Sequence, residues 1–519
     1  MPTRSPSQAL VRLALLLPLL SLACDSPAPP TTPDLPQVSI IVDAPNSVGK
    51  SLKLTVFTSG CDQVQGLELL DSNEPLKQVT HGGPSTVVEL GMNEIRYTRG
   101  LAARLSLTAR VTCADGRTNV SQAQPATFFP VAEVVEPINS SSQVVPDYFV
   151  AEGSGANVTF IGCGNDSNGR SWLYEVSKSD PANPRSVRMP IPCDETTYIT
   201  DRKPTGNGHR WVWTLDKGAF ALGPDFTITG TTTERLDNLA VAPDGNAFIS
   251  IHGANFKLRT PAGEEKWARR VELPGLVFGE PLVRAGETQV LVPLRSDGAD
   301  STHIQVGVLK YSDGTLLETY DIESVSPIQS PPVAFDASGT VLYLSVQGTN
   351  AASIRACALG STKPCMPSMT TLLWESDPLQ GYMVALVPYA NGSRLAAITT
   401  NRFWFLDVKN GSSTLGECVN KDQLPLTSNG ALVARFAQPG PPGSSAFYMF
   451  NSAAGTTEKP NPYPVEIVAT DAAEKGELFR YQVPGGSLYG ALDDSGELWM
   501  RVGSKLVKPL SPAQYRELR

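Results

Sequence analysis

The sequence predicts an all-β protein, a small β-sandwich followed by a β-propeller of eight blades, with seven also fitting. Three observations predict it. Apolar segments alternate at period two and few form long helical faces. The 519 residues include Gly 44 and Pro 43, spread so that they punctuate the whole chain. From residue 131 onward a strand, turn, strand pattern recurs at an interval of about fifty residues, a spacing typical of propeller blades. The formal charge of −9 offers phosphate backbones little attraction, so nucleic acid is not an expected partner.

The first element is residues 1–23. Arg4 and Arg12 supply a basic start, Leu13 to Leu22 a short apolar run, and Ala23 a small residue before Cys24. This segment resembles a bacterial lipoprotein signal. The resemblance implies cleavage before Cys24, lipidation of that cysteine, and a mature chain held at the cell envelope, with the outer membrane favoured over the inner. Ser21 and Leu22 stand where the family pattern prefers an aliphatic residue and then a small one. Asp25 follows the lipid cysteine, a position where in some bacteria aspartate retains a lipoprotein in the inner membrane. The apolar run is too short to span a bilayer comfortably, and no second run of spanning length follows it. Residues 24–37 form a Pro-rich tether; ten residues of extended polyproline geometry reach roughly 30 Å at ~3.1 Å each.

Residues 38–130 read as seven short strands, VSIIVDA, SLKLTVFTSG, GLELLDS, STVVELG, EIRYTRG, ARLSLTARVTC and QPATFFP. Strands of this length and spacing predict a sandwich. LTARVTCADGRTNVSQ resembles the last hairpin of bacterial immunoglobulin-like modules, although the buried tryptophan of antibody domains is absent. Cys61 and Cys113 sit where such a fold can clamp one sheet to the other. Eight cysteines are present, and lipidation of Cys24 leaves an odd number in an oxidising compartment. The expected pairs are Cys61 with Cys113, Cys163 with Cys193, and Cys357 with Cys365, leaving Cys418 free.

Residues 131–519 carry the repeat. Turns at Asp244-Gly245, Ala285-Gly286, Asp336 to Gly339, Asn391-Gly392 and Asp494 to Gly496 separate the first and second strands of successive blades. Blade starts are expected near 147, 196, 236, 279, 330, 382, 430 and 486. The last unit supplies only three strands, so Val131 to Val135 is expected to close it as the fourth, which removes exposed sheet edges. LRTPAGEEKW, Leu258 to Trp267, resembles the blade signature of quinoprotein-like propellers, with Gly263 in the turn and Trp267 four residues later. LKYSDGTLLE, LDVKNGSSTL and ATDAAEKGELF keep the turn and lose the tryptophan. In that family the tryptophan wedges between blades, so its loss implies divergent packing.

Motifs that could carry chemistry reduce to structural readings. APNSVGKS, Ala44 to Ser51, satisfies a relaxed phosphate-loop pattern, but LKLTVFT after it alternates as a strand where phosphate binding needs a helix, and a turn is expected. Asn165 to Gly169 and Asp297 to Asp300 look calcium-like and are expected to be Asx-stabilised turns. His81, His209, His252 and His303 are too dispersed for a zinc motif, and no G-x-S-x-G string occurs. Glu417 beside Cys418 disfavours a reactive thiolate. Trp211, Trp213, Phe403, Trp404, Phe405 and Tyr448 alternate within strands as core residues, or as a sugar-stacking face.

No catalytic, cofactor-binding or metal-binding residue is therefore assigned. The function expected is that of an envelope-anchored, non-catalytic lipoprotein that binds or scaffolds a protein or glycan. The alternative is an enzyme on a propeller scaffold, quinone-dependent or acting on a surface polysaccharide. The combination is similar to lipoprotein propellers that assist outer-membrane barrel assembly, which lack the sandwich; only the architecture is carried over.

Overall fold

The computed structural model describes most of residues 35–518. Residues 1–34, 98–102, 137–148, 200–207, 326–331, 361–370, 417–433, 440–445 and 452–464, with several shorter segments, lie outside the described residues. No described helix is long and apolar enough to cross a membrane.

Among the described residues, nine strands build the N-terminal part: β1 Gln37–Val42, β2 Asn46–Gly49, β3 Ser51–Ser59, β4 Val64–Asp71, β5 Glu74–Val79, β6 Ser85–Gly91, β7 Ala103–Cys113, β8 Thr118–Val120 and β9 Gln124–Val135. One sheet has the order β1-β3-β6; the other contains β9-β7-β4-β5, with β2 on β9 and β8 on β7. Period-two alternation puts Leu52, Leu54 and Val56 of β3 against Leu67, Leu105, Leu107, Val111 and Phe128 of the facing sheet. The Cys61–Cys113 disulfide, with Cα atoms 5.4 Å apart, joins the end of β3 to the end of β7 and so links the two sheets.

Three local readings change. EIRYTRG is not a strand among its described residues. Glu94 closes a 3-10 turn, Met92–Glu94, by accepting hydrogen bonds from Gly91 N–H at 2.8 Å and Lys77 Nζ at 2.9 Å. The missing strand is instead β5, whose mixed sequence EPLKQV hides the alternation. It pairs with β4 through a hairpin in which Ser72 and Asn73 take positive φ of 52° and 71°. Within APNSVGKS the expected turn is replaced over Asn46 to Gly49 by a strand, which pairs in parallel with Thr127 to Pro130, and no helix follows.

Beyond residue 148 the chain forms four-stranded antiparallel meanders in succession, the strand order of a β-propeller. The first three are built from Phe149–Glu152, Thr159–Asn165, Ser171–Ser177 and Asp180–Arg188; from Thr197–Ile199, Arg210–Thr214, Gly218–Leu222 and Ile228–Thr232; and from Asn238–Val241, Ala247–Ile251, Asn255–Arg259 and Glu265–Arg270. Later sheets start at Leu276, Val333, Met383, Ala434 and Gly486. Two of them, the fourth and fifth, carry an additional short strand. Core clusters lie between neighbouring sheets. Ile161 and Leu173 meet Val212 and Phe220, Trp211 meets Leu239 and Ile249, and Phe256 and Leu258 meet Val290 and Val292. The last sheet packs on the first through Trp499, Leu506, Phe149 and Phe160.

β9 crosses the residue-130 boundary without a break. Its first half pairs with β7, from Ala103↔Phe128 to Leu107↔Gln124, and its second half pairs with Lys505–Pro509, including Val135↔Leu506 and Val134↔Val507. One nine-stranded sheet therefore runs from the sandwich into the last meander. Pro130 stands where β9 changes partner, a position that asks least of the ladder donor proline lacks. Glu133 of β9 lies 3.1 Å from Lys508 Nζ and also pairs with Lys178 of the first meander. Burial acts to raise the Glu133 carboxyl, but the two lysines outweigh it and hold it below the usual range.

Candidate functional site: a cationic cleft on the third blade

The third meander places one end of three strands around a cavity of about 420 Å³, within the ~300–1,000 Å³ range of small-ligand sites. Ile251 ends the second strand, Asn255 to Lys257 open the third, and Ala268 to Arg270 end the fourth. Glu234 and Arg235 come from the link with the second meander. Antiparallel register brings these segments together, with Asn255 opposite Arg270, Phe256 opposite Arg269, and Lys257 opposite Ala268.

Alternation then sorts the side chains. Phe256 stacks on Phe248 at 5.3 Å, and Trp267 meets Phe248 edge-on at 6.1 Å, so this face of the hairpin is turned to the fourth meander. Lys257 and Arg259 take the other face, toward Glu234. Lys257 Nζ lies 2.5 Å from Glu234 and 3.2 Å from Glu265; Arg259 lies 3.2 Å from Glu265 and 3.7 Å from Glu234. Hydrogen bonding to Glu234 raises the Lys257 ammonium above its ordinary value, against the opposing effect of burial. Arg235 pairs with Asp216 at 3.0 Å. Arg269 and Arg270 are exposed and make no ion pair among the described residues. A cation-lined cavity on a chain of formal charge −9 attracts anions locally against the global balance.

The residues singled out by sequence fall elsewhere. Cys24, Cys365 and Cys418 lie outside the described residues. Cys163 pairs with Cys193, Cα atoms 5.8 Å apart, inside the first meander; Cys357 is disulfide-bonded. Asp166 makes an Asx turn, accepting from Asn168 N–H and Arg170 N–H at 2.9 Å each, and from Trp172 Nε1 at 3.1 Å. Residues 298–300 of the second calcium-like string lie outside the described residues. No group of three or more His, Cys, Asp or Glu among the described residues could hold a metal ion. Trp211, Trp213 and Phe405 are buried, which makes them core residues; Trp404 is half-buried, and nothing is described of the Phe403 and Tyr448 side chains. The cleft itself was missed, although the run Ala268-Arg269-Arg270 directly after the LRTPAGEEKW signature was its visible trace.

No protein-family model matches the chain, and no curated protein matches it in sequence. Solved structures with a similar course include the Dos1 propeller, at 10% identity over 71% of this chain and 96% of that one, TM-score 0.45. A eukaryotic initiation factor follows at 11% identity, 70% and 84% coverage, TM-score 0.40. A quinoprotein alcohol dehydrogenase-like protein from Bacteroides thetaiotaomicron is similar at 9% identity, 89% and 95% coverage, TM-score 0.35. At these scores the likeness carries no argument about activity, and the architecture rests on the chain's own strand pairing.

Proposed function

We propose that the chain is a lipid-anchored envelope protein that works by binding, not by catalysis. In this reading Cys24 carries the lipid, residues 24–37 hold the body clear of the headgroups, and an immunoglobulin-like sandwich leads into a closed eight-bladed ring. The observation that carries the binding reading is the cleft of Glu234 to Arg270. Lys257 and Glu234 of its lining, with Arg259 and Glu265 beside them, neutralise one another at 2.5 to 3.7 Å and form a fixed wall, while Arg269 and Arg270 remain available to a ligand. Rigid strands hold these groups in place, as a recognition site requires.

Cross-linking in intact cells, followed by identification of what is captured, tests this function. Recovery of an envelope protein or glycan that a Cys24→Ala variant no longer captures supports both the anchor and the binding role. Retention of that variant in the membrane fraction would sink the lipid anchor. Turnover of an alcohol or sugar panel by the purified chain, with no captured partner, would replace the binding reading by an enzyme on the same scaffold.

A further inference from the structure

Among the described residues, two groups around the cleft have no ion-pair counterpart, Arg269 and Arg270, and of these Arg270 shares the face of Lys257 and Asn255. Lys257 and Arg259 balance Glu234 and Glu265, and Arg235 balances Asp216. Arg270 is opposite Asn255 in the ladder, and side chains so paired have Cβ atoms roughly 4.5–5.5 Å apart. Neither side chain has a hydrogen-bond partner among the described residues. A guanidinium presents a planar fork of donors that matches a carboxylate bidentately. A neutral carboxamide beside it offers both donor and acceptor, which suits a hydroxyl next to that carboxylate.

The rest of the lining bears on what carries the carboxylate. Phe256 is fully buried and Ile251 is only 9% exposed, so neither bulky apolar side chain of the lining is open to anchor a peptide side chain. Ala268 adds only a methyl. The complementary ligand is therefore anionic at one point, hydroxylated beside it, and carries no bulky apolar side chain. Resting on the binding-module reading above, we propose that the cleft binds an acidic glycan, gripping the carboxylate of a uronic-acid sugar through Arg270 and a neighbouring hydroxyl through Asn255.

The test uses the full chain in detergent, titrated calorimetrically with polygalacturonate, a sulfated glycan, poly-glutamate and neutral dextran. Polygalacturonate binds, and binding weakens with added salt because the contact is partly exposed. Arg270→Gln weakens it at least tenfold, Arg270→Lys less, and Asn255→Ala severalfold, while Arg188→Gln, an exposed arginine of the first meander, leaves it unchanged. Circular dichroism of each variant confirms folding. An Arg270→Gln variant that binds polygalacturonate as the native chain does overturns the site. Equal or tighter binding of poly-glutamate replaces the glycan by an acidic peptide, and binding of the sulfated glycan alone replaces the carboxylate by a sulfate ester; either result overturns the proposal. Failure of every acidic polymer overturns the ligand class, whereas capture of an envelope partner in cells would leave the binding-module reading standing.

Discussion

Two aspartates show how burial sets the value of the same contacts. Asp493 accepts from Ser495 N–H at 2.9 Å, Glu497 N–H at 3.0 Å and Trp499 Nε1 at 3.0 Å. Asp166 makes the same set with Asn168, Arg170 and Trp172 at equal sequence spacing. Asp493 is 3% exposed beside a fully buried Trp499, whereas Asp166 stands in an exposed turn. Removing an acceptor from buried donors costs about 1–3 kcal/mol for each group left unsatisfied, and solvent relieves most of that at a surface. Asp493→Ala should therefore lower stability by more than about 2 kcal/mol, and Asp166→Ala by under about 1. Urea midpoints at constant slope measure the difference, and equal shifts would remove burial as the cause.

At the level of elements, the blades interlock through a tryptophan and a glycine. Trp267 donates from Nε1 to Tyr311 O at 2.9 Å and covers Gly314, in the next meander. Trp374 donates to Val408 O at 2.6 Å and covers Gly411, at the same three-residue offset. In the second meander the equivalent position is Gly230, which approaches Gly263 backbone to backbone. A Cβ on Gly314 would stand 2.6 Å from Trp267, at a φ of 69° that side chains rarely adopt. Gly314→Ala is thus expected to cost about 1–3 kcal/mol from overpacking and backbone strain together. The double variant Gly314→Ala with Trp267→Ala separates them, because it removes the clash and keeps the strain; a double variant with fully additive losses would show the tryptophan is not the obstacle. The signature was legible around Gly263 and Trp267 because their turn is short. Trp374 was not, since residues 359–371 part it from the strand it pairs with, Arg355 to Cys357. The turns between first and second strands, such as Asp244-Gly245 before Ala247–Ile251, were legible because Gly, Asp or Asn precedes a fresh apolar run. The cleft was hidden because its charges come from separate segments that only strand register brings together.

On the scale of the whole molecule, the shared strand β9 decides whether sandwich and propeller unfold as one body. Val131 is fully buried with Leu498, Met500 and Val507 of the last meander, and Val48 and Met92 of the sandwich pack on that cluster. Separating the parts would expose this surface and break one ladder through the middle of a strand, unlike the loosely packed linkers that usually divide domains. The chain's tryptophans number 7, and none precedes residue 172, so native fluorescence follows the propeller alone. Phe57 is 38% exposed on the outer face of β3, where a Phe57→Trp change adds a reporter without disturbing the core. Coupling through β9 requires the added signal to change at the same urea concentration as the native tryptophans. Inserting one glycine between Pro130 and Val131 moves every following side chain of the strand to the opposite face unless its pairing shifts as well. That variant should split the single transition into two, with the sandwich, still closed by Cys61–Cys113, reporting separately from the propeller. Two transitions in the native chain would mean that the continuous sheet transmits no cooperativity, and coincident transitions after the insertion would place the coupling elsewhere.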